Sequence, residues 1–285
     1  MTVRVFDAHL HIIDPRFPLV PNNGYVPDPF TVDDYMARTG ELSARDGACE
    51  GARPFEVVGG AVVSGSFQKF DQTYLVDALE RLGPGFVGVT QVPVDVSDAE
   101  VLRLHEAGVR AVRFNVARGG SAGLPDMDRL ARRVFDLAGW HAEFYIDARS
   151  LDGDLGRRIA ALPKASVDHL GMHRDGLPHL LRLVESGVMV KATGFGRVEL
   201  DPAEVVTAIV NVNPRALMVG TDLPSTRAQH PFAVADFDLL CDTLDASQLD
   251  DVFWRNASEF YGVRGVSRRR VIICRPSSRK SKWMK

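Results

Sequence analysis

His9 and His11 stand two residues apart in Phe6-Asp7-Ala8-His9-Leu10-His11. Side chains at i and i+2 of a β-strand share a face, so both imidazoles can aim at one point. Far along the chain, Asp222 sits in Val219-Gly220-Thr221-Asp222-Leu223-Pro224, where Pro224 stops strand pairing and Gly220 lets backbones pack closely. A carboxylate there can take a proton from water or bind a metal. His169 follows Asp168 in Asp168-His169-Leu170-Gly171. Three imidazoles and a carboxylate can polarise a carbonyl and activate water. The same four groups could also hold one Zn²⁺ with an open water position. The plainer alternatives are satisfied strand-edge histidines at 9 and 11, a turn cap at His169 and a helix N-cap at Asp222.

A second group of residues could hold an anion. Arg113 lies in the apolar run Val109-Arg110-Ala111-Val112-Arg113-Phe114-Asn115. An arginine facing a core needs an anionic partner, and a substrate carboxylate suits its planar two-donor fork. Arg118 and Arg227 lie just beyond strand ends and are plausible further anion holders, with surface exposure as the alternative. Tyr145 can donate a hydrogen bond, and Ser64 ends a predicted strand. Lys191 is one of three lysines before residue 264, against 22 arginines. It either holds an anion or snorkels outward.

These residues need a frame. Short β-rich runs occur over 3–9, 57–63, 86–89, 110–115, 143–147, 166–169, 188–192 and 217–221, with helical stretches between them. Asp71 can cap one helix, Ser97 with Glu100 forms a capping-box pattern, and Asp201-Pro202 opens another helix. Gly83, Gly108 and Gly187 follow helical runs as C-terminal caps. Eight strands alternating with helices predict a single-domain α/β fold, the (β/α)8 TIM barrel, over residues 1–263. The polar residues above fall at predicted strand ends, where such a barrel carries its active site. A doubly wound sheet is disfavoured because no GxGxxG follows the first strand. The proline-rich span 14–29 reads as a long ordered loop over one barrel end. No Gly-x-Ser-x-Gly elbow, Walker loop or HExxH occurs.

The charge is uneven. The net charge is −3, yet residues 264–285 hold nine Lys/Arg and no Asp/Glu, leaving 25 basic against 37 acidic residues before them. The barrel region is therefore acidic, which argues against nucleic-acid binding, and the basic tail 264–285 has the composition of a disordered segment. No run of 18 apolar residues predicts a membrane span, and the first residues lack the apolar stretch of a signal peptide. Cys49, Cys241 and Cys274 are odd in number, far apart and without CxxC spacing, as expected of small buried hydrophobes in a cytoplasmic protein.

Together, Phe6–His11, Val109–Arg113, Asp168–Gly171 and Gly220–Pro224 resemble the amidohydrolase superfamily. Within it they are similar to the amidohydrolase-related group that includes 2-pyrone-4,6-dicarboxylate lactonases. The resemblance implies a barrel whose site is built from the first-strand HxH, a later histidine and a last-strand aspartate. Many members bind one or two divalent metals there. Two-metal members carry a bridging lysine or glutamate on strand 4 and a further histidine on strand 5, where this chain has Arg113 and Tyr145. The lactonase branch works without metal. Its strand-4 arginine and strand-5 tyrosine, which hold substrate, match Arg113 and Tyr145, and Ser64 lies at a matching substrate-contact position.

The resulting expectation is a metal-independent hydrolase of a carboxylate-bearing lactone, from aromatic or sugar-acid catabolism, acting as a monomer or homo-oligomer. Asp222 activates water, His9, His11 and His169 surround the carbonyl, and Arg113, Tyr145, Ser64, Arg118, Arg227 and Lys191 hold the substrate. The alternatives are a mononuclear zinc amidohydrolase or decarboxylase with His9, His11, His169 and Asp222 as ligands, and a lactone isomerase or non-catalytic ligand-binding relative.

Overall fold

A computed structural model describes residues 2–43 and 54–263. The expected disorder of the tail 264–285, and Cys49 and Cys274, lie outside the described residues; Cys241 is half-buried.

Eight parallel strands follow in chain order: β1 (Val3–Leu10), β2 (Phe55–Val63), β3 (Phe86–Thr90), β4 (Val109–Asn115), β5 (His141–Tyr145), β6 (Ala165–Val167), β7 (Met189–Ala192) and β8 (Leu217–Val219). Helices α1 (Val32–Ser43), α2 (Thr73–Leu82), α3 (Asp98–Glu106), α4 (Met127–Ala138), α5 (Asp154–Ala160), α6 (Leu177–Glu185) and α7 (Pro202–Val212) connect them. Helices α8 (Val234–Thr243), α9 (Ala246–Asp250) and α10 (Asn256–Tyr261) follow the last strand. The result is the (β/α)8 barrel that the alternation predicts.

The helices pack by amphipathic spacing. Helix α4 buries Met127, Leu130, Ala131 and Val134, a stripe at i, i+3, i+4 and i+7. Met127, Leu130 and Val134 each contribute about 1.5–3 kcal/mol by leaving water. Asp201 caps α7 by accepting from the backbone N–H groups of Ala203 and Glu204, with Pro202 in the first turn. Gln72 occupies the cap position of α2, and Asp71, one residue earlier, accepts from the Thr73 N–H. The box at Ser97 is only half formed. Ser97 Oγ accepts from the Glu100 N–H, but the Glu100 carboxylate turns to Arg103, a better-charged partner.

Three strands, β5, β6 and β8, end two residues earlier than expected, and the first two do so for a local reason. Strand β5 stops at Tyr145 because Asp147 folds back to accept from the Arg149 N–H and opens a short 3-10 turn. Strand β6 stops at Val167 because His169 and Leu170 take positive φ angles of 52° and 50°. That left-handed region ends any extended run and is costly for side chains other than glycine.

The barrel closes without a full β1–β8 ladder. Two backbone hydrogen bonds just beyond the strands close it: Asp222 N–H donates to the His9 carbonyl at 2.7 Å, and His11 N–H donates to the Leu223 carbonyl at 2.8 Å. The buried Asp7 carboxylate adds a clasp, accepting from Thr221 N–H at 2.8 Å, Thr221 Oγ1 at 2.7 Å and Tyr35 Oη at 3.0 Å. Gly220 is required here, since a Cβ would lie 2.8 Å from the His9 nitrogen. The 14–29 loop is tied down by antiparallel pairing of Ile13 with Phe30 and of Asn22 with Tyr25, and by Val20 N–H donating to the Phe67 carbonyl.

Candidate active site

Closing the seam between β1 and the end of β8 brings His9, His11 and Asp222 together. Nε2 of His9 lies 3.7 Å and Nε2 of His11 lies 3.5 Å from Asp222 Oδ1. The ring of His169 completes the group, 4.9 Å from that of His9. All four side chains are buried. His169 and Asp222 both have positive φ, 52° and 59°. Non-glycine residues persist in that region where surrounding structure forces them, and such positions cluster at functional sites.

The protonation pattern is partly fixed. His11 Nδ1 lies 2.7 Å from the Val63 carbonyl, an acceptor only, so Nδ1 carries a proton and Nε2 faces the site. Burial pushes His169 down to about 3, against the pull of Asp222, and pushes His9 well below its ordinary value. Both rings are therefore neutral at pH 7. Burial alone would raise the Asp222 carboxyl, but the Arg197 guanidinium, with help from His169, His11 and His9, holds it far below the usual carboxylate range. Arg197 Nε donates to Asp222 Oδ2 at 2.8 Å, its Nη2 also bonds Oδ2, and Nη2 reaches the Thr226 carbonyl.

Sequence reasoning missed Arg197. It sits on the Gly194-Phe195-Gly196-Arg197 turn after β7, outside any periodic pattern. Gly194 is needed there, with φ 65° and a would-be Cβ 2.5 Å from His169 Nδ1. The usable signal was position: an arginine five residues past a strand end, at the face where such barrels carry their sites.

A cleft opens above these groups. It is lined by His11, His169, Arg113, Arg118, Arg197, Arg227, Tyr145, Asn115, Tyr25, Phe67 and Thr226, with Gly65 and Ser66. Its free volume is about 30 Å³, room for a few water molecules. Tyr145 Oη is buried without a hydrogen-bond partner among the described residues. Arg227 stacks on Tyr25 at 4.3 Å and donates to the Asn22 carbonyl, joining the 14–29 loop to the cleft. Arg118 is exposed, and its carbonyl accepts from Asn22 Nδ2.

Three expectations need correction. Arg113 already has an anionic partner: Nη2 donates to Asp168 Oδ2 at 2.8 Å and Nη1 to the Ser64 carbonyl at 2.8 Å, while Nε stays unpaired beside the cleft. Ser64 does not line the cleft; its hydroxyl is held between Gln72 Oε1 at 2.9 Å and Tyr74 Oη at 2.8 Å, because α2 packs those side chains over it. Lys191 neither snorkels outward nor lines the cleft. Its buried ammonium lies 2.6 Å from Glu143 Oε2 and 3.6 Å from Asp168 Oδ1, beneath His9. Glu143, on the same face of β5 as Tyr145, was not singled out from the sequence; burial raises its carboxyl to about 7 despite Lys191.

The donor set fits a metal ion in kind. His9, His169 and Asp222 each bring one ligand atom within 4.8 Å of the others. His9 Nε2, His169 Nδ1 and Asp222 Oδ1 are buried without hydrogen-bond partners among the described residues. A bound divalent ion would polarise a carbonyl and acidify water there. Opposing it, Arg197 already bonds Asp222, and Lys191 lies 3.5 Å from His9 Nδ1.

The chain is similar to several known proteins. A 2-pyrone-4,6-dicarboxylate hydrolase of Comamonas testosteroni is 33% identical over 171 residues, which is 58% of this chain and 51% of that protein. The match thus spans about half the length of that relative. A 4-sulfomuconolactone hydrolase of Rhizobium radiobacter is 24% identical over 252 residues, 81% of this chain and 79% of that protein. Among solved structures, a probable 2-pyrone-4,6-dicarboxylic acid hydrolase of Acinetobacter baumannii with citric acid bound superposes with TM-score 0.74 at 19% identity, covering 90% of this chain and 99% of that one. The profile of the amidohydrolase family matches residues 6–263. The chain belongs to the amidohydrolase family.

Proposed function

We propose that this protein hydrolyses a lactone that carries carboxylate groups, without needing a bound metal, in the breakdown of aromatic or sugar-derived acids. One observation carries the reading: four guanidiniums, of Arg113, Arg118, Arg197 and Arg227, line one small cleft of an otherwise acidic barrel. Surface charge is damped beyond about 8 Å at physiological salt, so these local cations decide what binds. The two relatives named for lactone substrates support the same class.

Water attacks the lactone carbonyl while Asp222 accepts its proton; collapse of the tetrahedral intermediate breaks the ring acyl C–O bond, and Asp222 returns the proton to the departing ring oxygen. Paired with Arg197, Asp222 is always ionised but a weak base. When a substrate carboxylate draws Arg197 away, Asp222 becomes more basic at the moment of use. His9, His11 and His169 surround the carbonyl, and the ring that carries a proton toward the cleft stabilises the oxyanion. Arg113, through its unpaired Nε, together with Tyr145, Arg118 and Arg227, orients the substrate carboxylates.

The second reading is a mononuclear zinc hydrolase or decarboxylase. The convergence of His9, His169 and Asp222, with His11 beside them, favours it. A lactone panel with and without carboxylates, assayed before and after chelation alongside metal analysis, separates the two. Turnover of carboxylate lactones that survives chelation supports the first reading. Stoichiometric metal, with activity lost on its removal, overturns it. Asp222→Asn lowers turnover by about 10²–10⁴-fold if Asp222 is the base; unchanged turnover would remove it from that role.

A further inference from the structure

We propose that Lys191 fixes His9 as a hydrogen-bond donor toward the cleft, donating to Nδ1 so that Nε2 carries the proton, and that this keeps a divalent metal off the ring. The inference rests on the metal-independent reading above and gives it a structural cause.

His9 Nδ1 faces three groups inside the barrel. Lys191 Nζ lies at 3.5 Å in hydrogen-bonding geometry. Asp168 Oδ1 lies at 3.4 Å, outside the alignment of a ring N–H hydrogen bond, and Glu143 Oε1 lies at 3.8 Å. An ammonium has three protons and no acceptor. Lys191 has Glu143 Oε2 at 2.6 Å and His9 Nδ1 at 3.5 Å within hydrogen-bond reach, while Asp168 Oδ1 at 3.6 Å is an ion-pair contact only. A nitrogen that accepts from Lys191 is bare, so in a neutral ring the proton is on Nε2. The far side of the ring agrees. Nε2 faces the ionised Asp222 Oδ1 at 3.7 Å, where an N–H is attracted and a lone pair is repelled.

His9, Glu143 and Asp168 also form a second group whose ligand atoms lie within 4.8 Å of one another. The ammonium of Lys191 stands among those same three residues. It occupies the place of a cation with a charge that cannot be chelated away. Taking an ammonium fully out of water is costly unless anions compensate it. Here Glu143 and Asp168 do so, and Arg113 holds the outer oxygen of Asp168. Without Lys191, Nδ1–H turns to Asp168, Nε2 becomes bare, and His9 joins His169 and Asp222 as a metal ligand.

The test uses chelated wild-type protein with ¹⁵N-labelled histidine, the His9 signals being assigned by their loss in His9→Gln. The proposal expects protonated Nε2 and bare Nδ1; the opposite pattern overturns it. Titration with Co²⁺, followed by its visible absorption, then compares wild type with Lys191→Met. The variant should bind one ion at least about tenfold more tightly; equal affinities overturn the metal-exclusion part. Should Lys191→Met not fold, Lys191→Met/Glu143→Gln removes the cation together with its nearest anion and carries the same expectation. If wild type turns over only when metal-loaded, the metal-independent reading fails, while the His9 signals of the chelated protein still decide the proton's position.

Discussion

Arg197 grips Asp222 from the loop after β7, its Nε 2.8 Å from Oδ2, while Oδ1 is left facing His9 and His11. One oxygen of the carboxylate is committed to a guanidinium and the other is available for chemistry. Arg197 therefore governs both the orientation and the basicity of Asp222. Arg197→Met should lower kcat/KM by about 10²-fold or more, the scale of a lost electrostatic group at a reacting centre. Removing the cation raises the Asp222 carboxyl, so the acid limb of the pH–rate profile should move to higher pH. A profile unchanged in position would separate Arg197 from the base.

The arginine-lined cleft makes a prediction about binding. Arg227→Ala should raise KM for a dicarboxylate lactone by about 10–100-fold, the equivalent of one charge-assisted hydrogen bond of about 1.5–3 kcal/mol. KM for the corresponding neutral lactone ester should hardly change. Steady-state kinetics on the pair gives the comparison. Arg227 is the better choice than Arg113, because Arg113 also compensates the buried Asp168 and its loss would destabilise the barrel.

Two buried groups give opposite pH dependences of stability. His169 is pushed down to about 3 in the fold by burial, against 6.5 in the unfolded chain. The unfolded chain therefore takes up the proton first, and stability falls as pH drops through that window. Asp7 is raised to about 6 by burial, from 3.8. There the folded state holds the proton, so stability falls as pH rises through 6. Between pH 4 and 6 the two partly cancel. Asp7→Asn removes one of them, so its urea midpoint should fall more steeply from pH 6.5 to 4.5 than that of wild type. Parallel slopes would mean Asp7 is not protonated in the native state.

The meeting place of His9, His11, His169, Asp222, Arg113 and Tyr145 was legible from the sequence for a simple reason. Strand alternation and the one-sided location of sites on a parallel barrel turn positions near strand ends into neighbours. Partners within the strands were harder to see. Glu143 and Lys191 carry no local mark that their side chains meet across the barrel interior; only the register of β5, β6 and β7 brings them together. Ser64 was misread because its direction is decided by Gln72 and Tyr74, which belong to another element. Arg113, in an apolar strand, does need an anion, and that anion is Asp168 just past the end of β6 rather than a substrate group alone.

The clasp between β1 and the end of β8 has a mechanical consequence. Because the bonds between His9 and Asp222 and between His11 and Leu223 both position the site and shut the barrel, the wall of the vessel is joined at its working edge. The first strain that parts this joint scatters the histidines while the helices still stand. In a urea series, turnover should therefore vanish at lower denaturant than helical ellipticity, with the amides of His11 and Asp222 exchanging ahead of those in β4 and β5.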